Sequence, residues 1–340
     1  MTQRTVTSGR TSRRAALRSG AALAGVGLAG IGSVAAASPD TATVLTQNLY
    51  LGSALAPALE AETEAEFEAA IGEAYRNVLE SRFDRRAGAL AAEIAAVEPD
   101  VIGLQEVARF AERGSGGTTR EYLPALVEGL EAEGLTYAEA ASVKTFDAEF
   151  PLSGDAGADA VRFVNRDAIL VRDGVPTSDA DAGTYYAGGL EFGIGRGYCS
   201  VTVGDAYTFV DTHLSTARTP FLQVAQAAEL VSRFRDPPTV LVGDFNSGPD
   251  AATERTYDVL TERYTDAYAA ANPDEEGHTC CRDPTLADED ATLDRRIDHV
   301  FTTDDVRPRG AERIGTERGD RVGGRWPSDH AGVAAELRLP

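Results

Sequence analysis

Residues 239–250 read TVLVGDFNSGPD. Four apolar or β-branched residues in a row, Thr239 to Val242, predict a buried strand. That strand runs straight into Asp244 and Asn246, with Gly243 and Gly248 on either side. Taken alone, Asp-x-Asn beside glycine reads as a turn, because Asx side chains bond their own backbone and glycine adopts conformations closed to other residues. The other reading is a site that holds an acid and an amide at a strand end for metal-assisted hydrolysis.

The choice depends on what stands at the other strand ends. TVLTQN (43–48) predicts a strand ending at Asn48, and DVIGLQEV (100–107) a short buried strand ending at Gln105 and Glu106. YTFVD (207–211) pairs with CSVTV (199–203) through a Gly204-Asp205 turn and closes on Asp211 and His213. RIDHVFT (296–302) carries Asp298 and His299, and Ser328-Asp329-His330 lies just before the last strand, 332–338. A further strand is expected over 161–171. Helices are expected where Phe83, Ala87, Leu90, Ile94 and Val97 share one face, around Leu123 to Leu130, and where Phe221, Val224, Ala228 and Val231 recur. RGSGGTTRE (113–121) and the arginine-rich DVRPRGAERIGTERGDR (305–321) read as loops. Strands and helices alternate without repeats or a splitting linker, which favours one α/β domain of mixed sheets over 38–340.

Singly, each polar strand end has a bland reading as a turn, a cap or a solvated acid. The chain has only four histidines, however, and two of them, His213 and His330, fall in Asp-containing strand-end motifs. His278 and His299 have no catalytic partner that the sequence names.

The N-terminus is read apart from the fold. Residues 1–37 hold the twin arginines Arg13 and Arg14, an apolar run from Ala21 to Ile31 and small residues at 34–37. This resembles a twin-arginine export signal; the apolar run is short for a membrane span, so no stable span is expected after its removal. The chain is expected to be secreted or held at the cell surface. The formal net charge is −22 over 340 residues, the leader contributes five arginines and no acid, and Lys144 is the sole lysine. So acidic a surface repels itself except where salt screens it, which points to a halophilic, archaeal source. In such salt, net charge does not argue against a polyanionic substrate. The three cysteines, Cys199, Cys280 and Cys281, leave an odd thiol. Neighbouring cysteines rarely bond each other, so the open alternatives are a bridge from one of the pair to Cys199 or three reduced thiols. With only His278 near in sequence, the pair makes a poor zinc site.

Asn48, Glu106, Asp211-x-His213, Gly243-Asp244-Phe245-Asn246, Arg296-Ile297-Asp298 and Ser328-Asp329-His330 stand in a fixed order. In that order the chain from Thr43 onward resembles the endonuclease/exonuclease/phosphatase superfamily, and NLYLG, GLQEV, DTHLS, VGDFNS, TCC, RIDHVF and WPSDHAGV resemble a secreted subgroup of it. The resemblance implies a four-layer α-β-β-α sandwich, two mixed β-sheets with helices on the outer faces. It also implies a phosphoesterase using Mg²⁺ or Mn²⁺, which needs an activated water, a Lewis acid and a proton source for the leaving group. Glu106 would ligate the metal with Asn48 beside it, and Asp329 would add a further contact. His330, oriented by Asp298, or else Asp244, would act on the water. His213 would stabilise charge or protonate the leaving oxygen, and Asn246 would hold a phosphate oxygen. Two positions depart from the family pattern: Ser53 stands where an acid is expected, which weighs against a second metal, and Asp211 replaces the more usual Asn and adds a charge.

The function expected is therefore an exported, monomeric metal-dependent phosphoesterase, foremost a phosphodiesterase, acting on a phosphodiester or phosphomonoester, with a nucleic acid or a lipid head group as alternative substrates. The competing reading is a non-catalytic domain of the same fold that binds a phosphorylated partner. Arg166, Arg172 and Arg196 could bind phosphate, although each reads first as a surface arginine. Tyr185-Tyr186 in TYYAGGLEFG is the one candidate for a lipid-facing loop.

Overall fold

The computed structural model describes residues 40–114, 116–152, 158–187, 195–236, 238–290 and 292–340. The export-signal reading (1–37) and most of the TYYAGGLEFG loop lie outside the described residues. Residues Ser38–Pro340 form one compact unit.

Two mixed sheets make up the centre. The first runs β13 (Arg307–Ile314), β14 (Gly332–Arg338), β1 (Thr41–Asn48), β2 (Val101–Gln105), β6 (Ala160–Arg172), β3 (Arg109–Arg113) and β4 (Thr119–Glu121), with β5 (Tyr137–Pro151) also paired to β6. The second runs β11 (Thr265–Asp266), β12 (Asp298–Thr302), β10 (Thr239–Asp244), β9 (Tyr207–His213), β8 (Gly197–Val203) and β7 (Thr177–Thr184). Each sheet has one parallel pair, β1 with β2 and β9 with β10, and each pair is bridged by helices as parallel strands require.

The strand period of two sorts the side chains into layers. In β1, Val44 faces a core between the sheets and Leu45 faces the helices. In β10, Val240 and Val242 enter the inter-sheet core while Leu241 faces outward. Helices α2 (Glu64–Glu80), α3 (Phe83–Ala95) and α4 (Tyr122–Ala132) cover the first sheet, with Leu90, Ile94 and Leu126 packed on Leu45, Ile102 and Leu104. Ala227 and Leu230 of α5 (Pro220–Arg233) and Leu260 of α6 (Glu254–Thr261) cover the second, against Leu241, Phe245 and Phe301. The four-layer sandwich expected from the sequence is the fold observed.

Several local expectations are corrected. The arginine-rich stretch contains β13, an edge strand with mostly exposed or half-buried residues, so alternation was too weak to show it. RGSGGTTRE is the tip of the β3–β4 hairpin. In α5 the buried residues are Gln223, Gln226, Ala227 and Leu230, while Phe221 is 90% exposed. The two glutamines take the inner face because they hydrogen-bond there. Cys280 and Cys281 are bonded to each other, and Cys199 is a free thiol in the inter-sheet core. No bridge to Cys199 forms because it sits on β8 inside the sandwich, whereas the pair lies in a loop at its edge.

Leu241 is fully buried between β10 and the outer helices. Leu241→Ala should lower stability by about 2–5 kcal/mol, the usual cost of a leucine-sized cavity. A urea unfolding curve shifted by less than about 1 kcal/mol would contradict this packing.

Candidate active site

Strand register gathers the site. Across the second sheet Asp244 pairs with His213 on one side and Asp298 on the other, so three functional side chains form one row at a single sheet end. Across the first sheet Asn48 pairs with Gln105, which places Glu106 one residue beyond. Asn48 lies four residues after Val44, and Asp244 two after Val242, so both keep the inward-facing parity of the inter-sheet core. They meet: Asn48 Nδ2 donates to Asp244 Oδ2 at 3.1 Å, joining the two sheets.

The result is a cleft of about 430 Å³ whose lining includes Glu106, His213, Asp244, Asn246, Asp329 and His330. Asn48 and Asp298 stand directly behind it. Gly243 has φ +148°, and a Cβ there would collide with the Thr212 carbonyl; a Cβ on Gly248 would collide with the Arg296 carbonyl. These two glycines let the chain bend tightly on either side of Asp244 and Asn246. Asn246 itself is left-handed, φ +51°. Its backbone carbonyl accepts from Gln223 Nε2 (3.0 Å) and Thr253 Oγ1 (2.9 Å).

Asp244 is almost fully buried. Its Oδ1 accepts the Asn246 N–H at 2.9 Å, and its Oδ2 lies 3.4 Å from His213 Nε2 and 3.9 Å from His330 Nε2. Burial lifts its pKa to about 7, aided by the charge of Asp298 and opposed by His330. His330 Nδ1 is 2.8 Å from Asp298 Oδ2, which also accepts the Thr279 hydroxyl at 2.6 Å. Burial alone would discharge this ring, but the carboxylates of Asp298 and Asp329 and the Asp298 hydrogen bond outweigh it and hold its pKa well above the ordinary value. His213 is the reverse case: burial, then Arg196 and His330, push its pKa well down. Its Nε2 receives the Asn246 amide at 3.1 Å, and the same amide nitrogen also donates to Leu214 O. Asp329 is raised to about 6 by burial, with His330 lowering it and Glu106 raising it. Glu106 accepts the Leu51 N–H at 2.7 Å through Oε2.

Asp211 points inward and takes a 2.6 Å bond from Gln105 Nε2. Burial and Asp167 push its pKa well above the carboxylate range. Burial thus works against the charge that Asp brings in place of Asn, while the side chain keeps the same size. His299 is a core residue, bonded to Asp266 (3.2 Å) and Ser247 O (2.9 Å). His278 pairs with Asp250 at 2.8 Å outside the cleft lining. Arg166 and Arg172 are paired with Glu139 and Asp100, whereas Arg196 lines the cleft with no ion pair among the described residues. Ser53 also lines it.

Three kinds of support escaped the sequence reading. Arg86 is fully buried and holds Leu49 O (2.9 Å), Tyr50 O (3.0 Å) and Pro327 O (2.7 Å), clamping the loop after β1 to the loop before His330. Arg282 donates to Ser328 O (2.9 Å) and His330 O (3.0 Å) and lies over the Trp326 ring. Gln223 and Gln226 pin Ser215, just beyond His213, with bonds of 2.6 to 2.9 Å. Only Arg86 leaves a sequence signal, since it falls three residues after Phe83 and four before Leu90 on the apolar stripe of α3.

No curated protein matches the chain. Solved structures of similar fold include the endonuclease/exonuclease/phosphatase from Beutenbergia cavernae, at TM-score 0.57 and 23% identity, covering 88% of this chain and 72% of that one. An endonuclease/exonuclease/phosphatase family protein from Leptotrichia buccalis aligns at 0.56 and 16%, covering 88% and 99%. A D. rerio TDP2 humanized by 14 mutations aligns at 0.52 and 16%, again covering 88% and 99%. With the site residues gathered in one cleft of this sandwich and the family model matched over residues 76–330, the chain belongs to the Endonuclease/Exonuclease/phosphatase family.

Proposed function

We propose that this protein is an exported, divalent-metal-dependent phosphodiesterase that breaks a P–O bond with an activated water. The observation that carries the reading is the charge pattern of one cleft. The carboxylates of Asp244, Asp298 and Asp329 lie 2.8 to 3.9 Å from the His330 ring nitrogens, with Glu106 in the same cleft, and burial, reinforced by neighbouring acids, raises the pKa values of Asp244 and Asp329.

A hard cation fits this set. Glu106, Asn48 and Asp329 all offer oxygen, the ligand type of Mg²⁺ and Mn²⁺, and Asp329 Oδ1 is buried with no hydrogen-bond partner among the described residues. Bound there, the metal would serve as a Lewis acid toward a non-bridging phosphate oxygen. Asp244, Asp298 and His330 also offer ligand atoms within 4.8 Å of one another, and Asp298 Oδ1 likewise has no hydrogen-bond partner among the described residues; the Asp298 Oδ2–His330 bond is what assigns this trio to proton handling here.

Charge states divide the remaining work. Asp244, titrating near neutrality, is suited to take a proton from the attacking water. His330, held charged by Asp298, is suited to neutralise the phosphoryl oxygens. His213, whose Nε2 receives the Asn246 amide, carries its proton on Nδ1 when neutral, so it presents an uncharged ring held in orientation by Asn246. Arg196 adds a cation to the cleft that has no ion pair among the described residues. A diester carries one negative charge where a monoester carries nearly two, so a diester meets less repulsion from the four acids. The export reading is supported by Arg13 and Arg14 ahead of the apolar run in residues 1–37; the secreted location and the halophilic source remain part of this proposal.

Turnover of bis(4-nitrophenyl) phosphate should vanish on adding EDTA and return with Mg²⁺. Activity indifferent to chelation would sink the metal-dependent reading. As pH rises through about 7, kcat/KM should climb with deprotonation of Asp244. Asp244→Asn should remove that limb and cut kcat by about 10²–10⁴-fold.

Asp298→Asn should lower the pKa of His330, read by NMR of a ring set limited to four histidines. The sign follows from linkage. His330 is raised in the fold, so its stabilising contribution is full below pH ~6.5 and is lost as pH rises through the folded pKa. In Asp298→Asn that pH-dependent loss should shrink. An unchanged His330 titration would remove Asp298 from this role. Replacing Arg13 and Arg14 together by Lys keeps the charge but removes the guanidinium pair; most of the protein should then stay inside the cell, as judged by immunoblot of cells and medium.

A further inference from the structure

Residues 279–282 form a strap beside the last catalytic loop. The Ala331 N–H donates to Thr279 O at 2.8 Å, and the Arg282 N–H donates to Asp329 O at 2.9 Å. Between these two bonds, facing His330, lie Cys280 and Cys281. Cys280 is fully buried, Cys281 is half-buried, and both line the cleft. Ligand atoms of Cys280, Cys281 and His330 all lie within 4.8 Å of one another. The phosphodiesterase mechanism uses neither sulfur. In sequence the pair has only His278 for company; the fold gives it His330 instead.

We propose that, once reduced, Cys280 and Cys281 form with His330 a site for a thiophilic cation such as Zn²⁺ or Cd²⁺, and that filling it stops turnover by capturing the catalytic imidazole. A dithiol reductant supplies two electrons and two protons to the Cys280–Cys281 bond and leaves as its own cyclic disulfide. The two thiols each release a proton to solvent when the cation binds. Two thiolates and one imidazole supply three ligands of a tetrahedral site, with water as the fourth. Soft sulfur ligands prefer such cations, whereas the oxygen set of Glu106, Asn48 and Asp329 prefers Mg²⁺. The disulfide has no thiolate to offer, so the oxidised protein resists the same cations. Oxidation of the pair therefore protects the site from soft metals.

The test uses the full chain, reduced with dithiothreitol, desalted, and titrated with Cd²⁺ in excess Mg²⁺. One equivalent should bind with ultraviolet thiolate-to-cadmium absorption, and turnover should fall in step and not recover with more Mg²⁺. The oxidised protein should show neither effect. Cys281→Ser should lose the absorption and Cys199→Ser should keep it. His330→Ala should weaken Cd²⁺ binding by at least about tenfold, a loss usual even for residues behind a ligand. A reduced chain without the band, or the same band in Cys281→Ser, overturns the proposal. Because absorption is read without turnover, a chain that binds Cd²⁺ this way but cleaves no phosphodiester would overturn only the functional reading and the link to inhibition.

Discussion

The hydrogen bond from Asn48 Nδ2 to Asp244 Oδ2 joins the two sheets at the cleft, in addition to the Gln105–Asp211 bond that also crosses between them. It sits where the inter-sheet core runs out and the cleft begins. A buried carboxylate is costly unless its oxygens are occupied. Asp244 meets this demand with the Asn246 N–H on one oxygen and the Asn48 amide on the other. The bond therefore fixes the spacing of the sheet ends, and with it the distance between the Glu106–Asp329 side of the cleft and the His213–Asp244 side. Both glycines of GDFNSG, the left-handed Asn246 and the glutamines of α5 serve to deliver Asp244 to that point.

Around this bond the site is built from opposed pKa shifts. The same burial that favours neutral His213 would favour neutral His330, yet only His330 has Asp298 at 2.8 Å. Two imidazoles in one cleft are thus pushed in opposite directions, His330 upward by Asp298 and then Asp329, His213 downward by burial and then Arg196 and His330. Asp298 in turn is held by the Thr279 hydroxyl, and the carbonyls flanking His330 are held by Arg282. Residues 279–282 therefore hold His330 and its carboxylate partner Asp298 from behind. A redox or metal event on the intervening cysteines would act on that same imidazole.

Much of this was legible from the sequence, because strand ends and strand periodicity are local. The α/β class follows from runs such as TVLV and VIGL between amphipathic helices, the four-layer order is what the family resemblance implies, and the candidate residues sit at the ends of those runs. What was not legible depends on long-range closure. β13 and β5 are edge strands whose exposed faces carry charge, so they lack alternation. Gln223 and Gln226 look like the polar face of α5 until the loops they bind are placed beside them. Arg86 breaks an apolar stripe, a signal that is visible but ambiguous, since its partners are carbonyls up to 241 residues away. The meeting of Cys280 and Cys281 with His330 spans about fifty residues of chain, so spacing, which offers only His278 nearby, does not show it.

Asp211 shows how far a residue's identity can mislead about its charge. By sequence it adds an acid to a chain already at −22. In the fold it is fully buried beside Asp167, another acid whose pKa burial raises to about 7. Gln105 Nε2 donates to one oxygen of Asp211, and the other has no partner among the described residues. Burial favours the protonated form of both acids, and on Asp211 the neighbouring Asp167 adds to that push. The acidity of this protein is thus felt differently with depth: on the surface salt can screen it, whereas between the sheets desolvation works against ionisation.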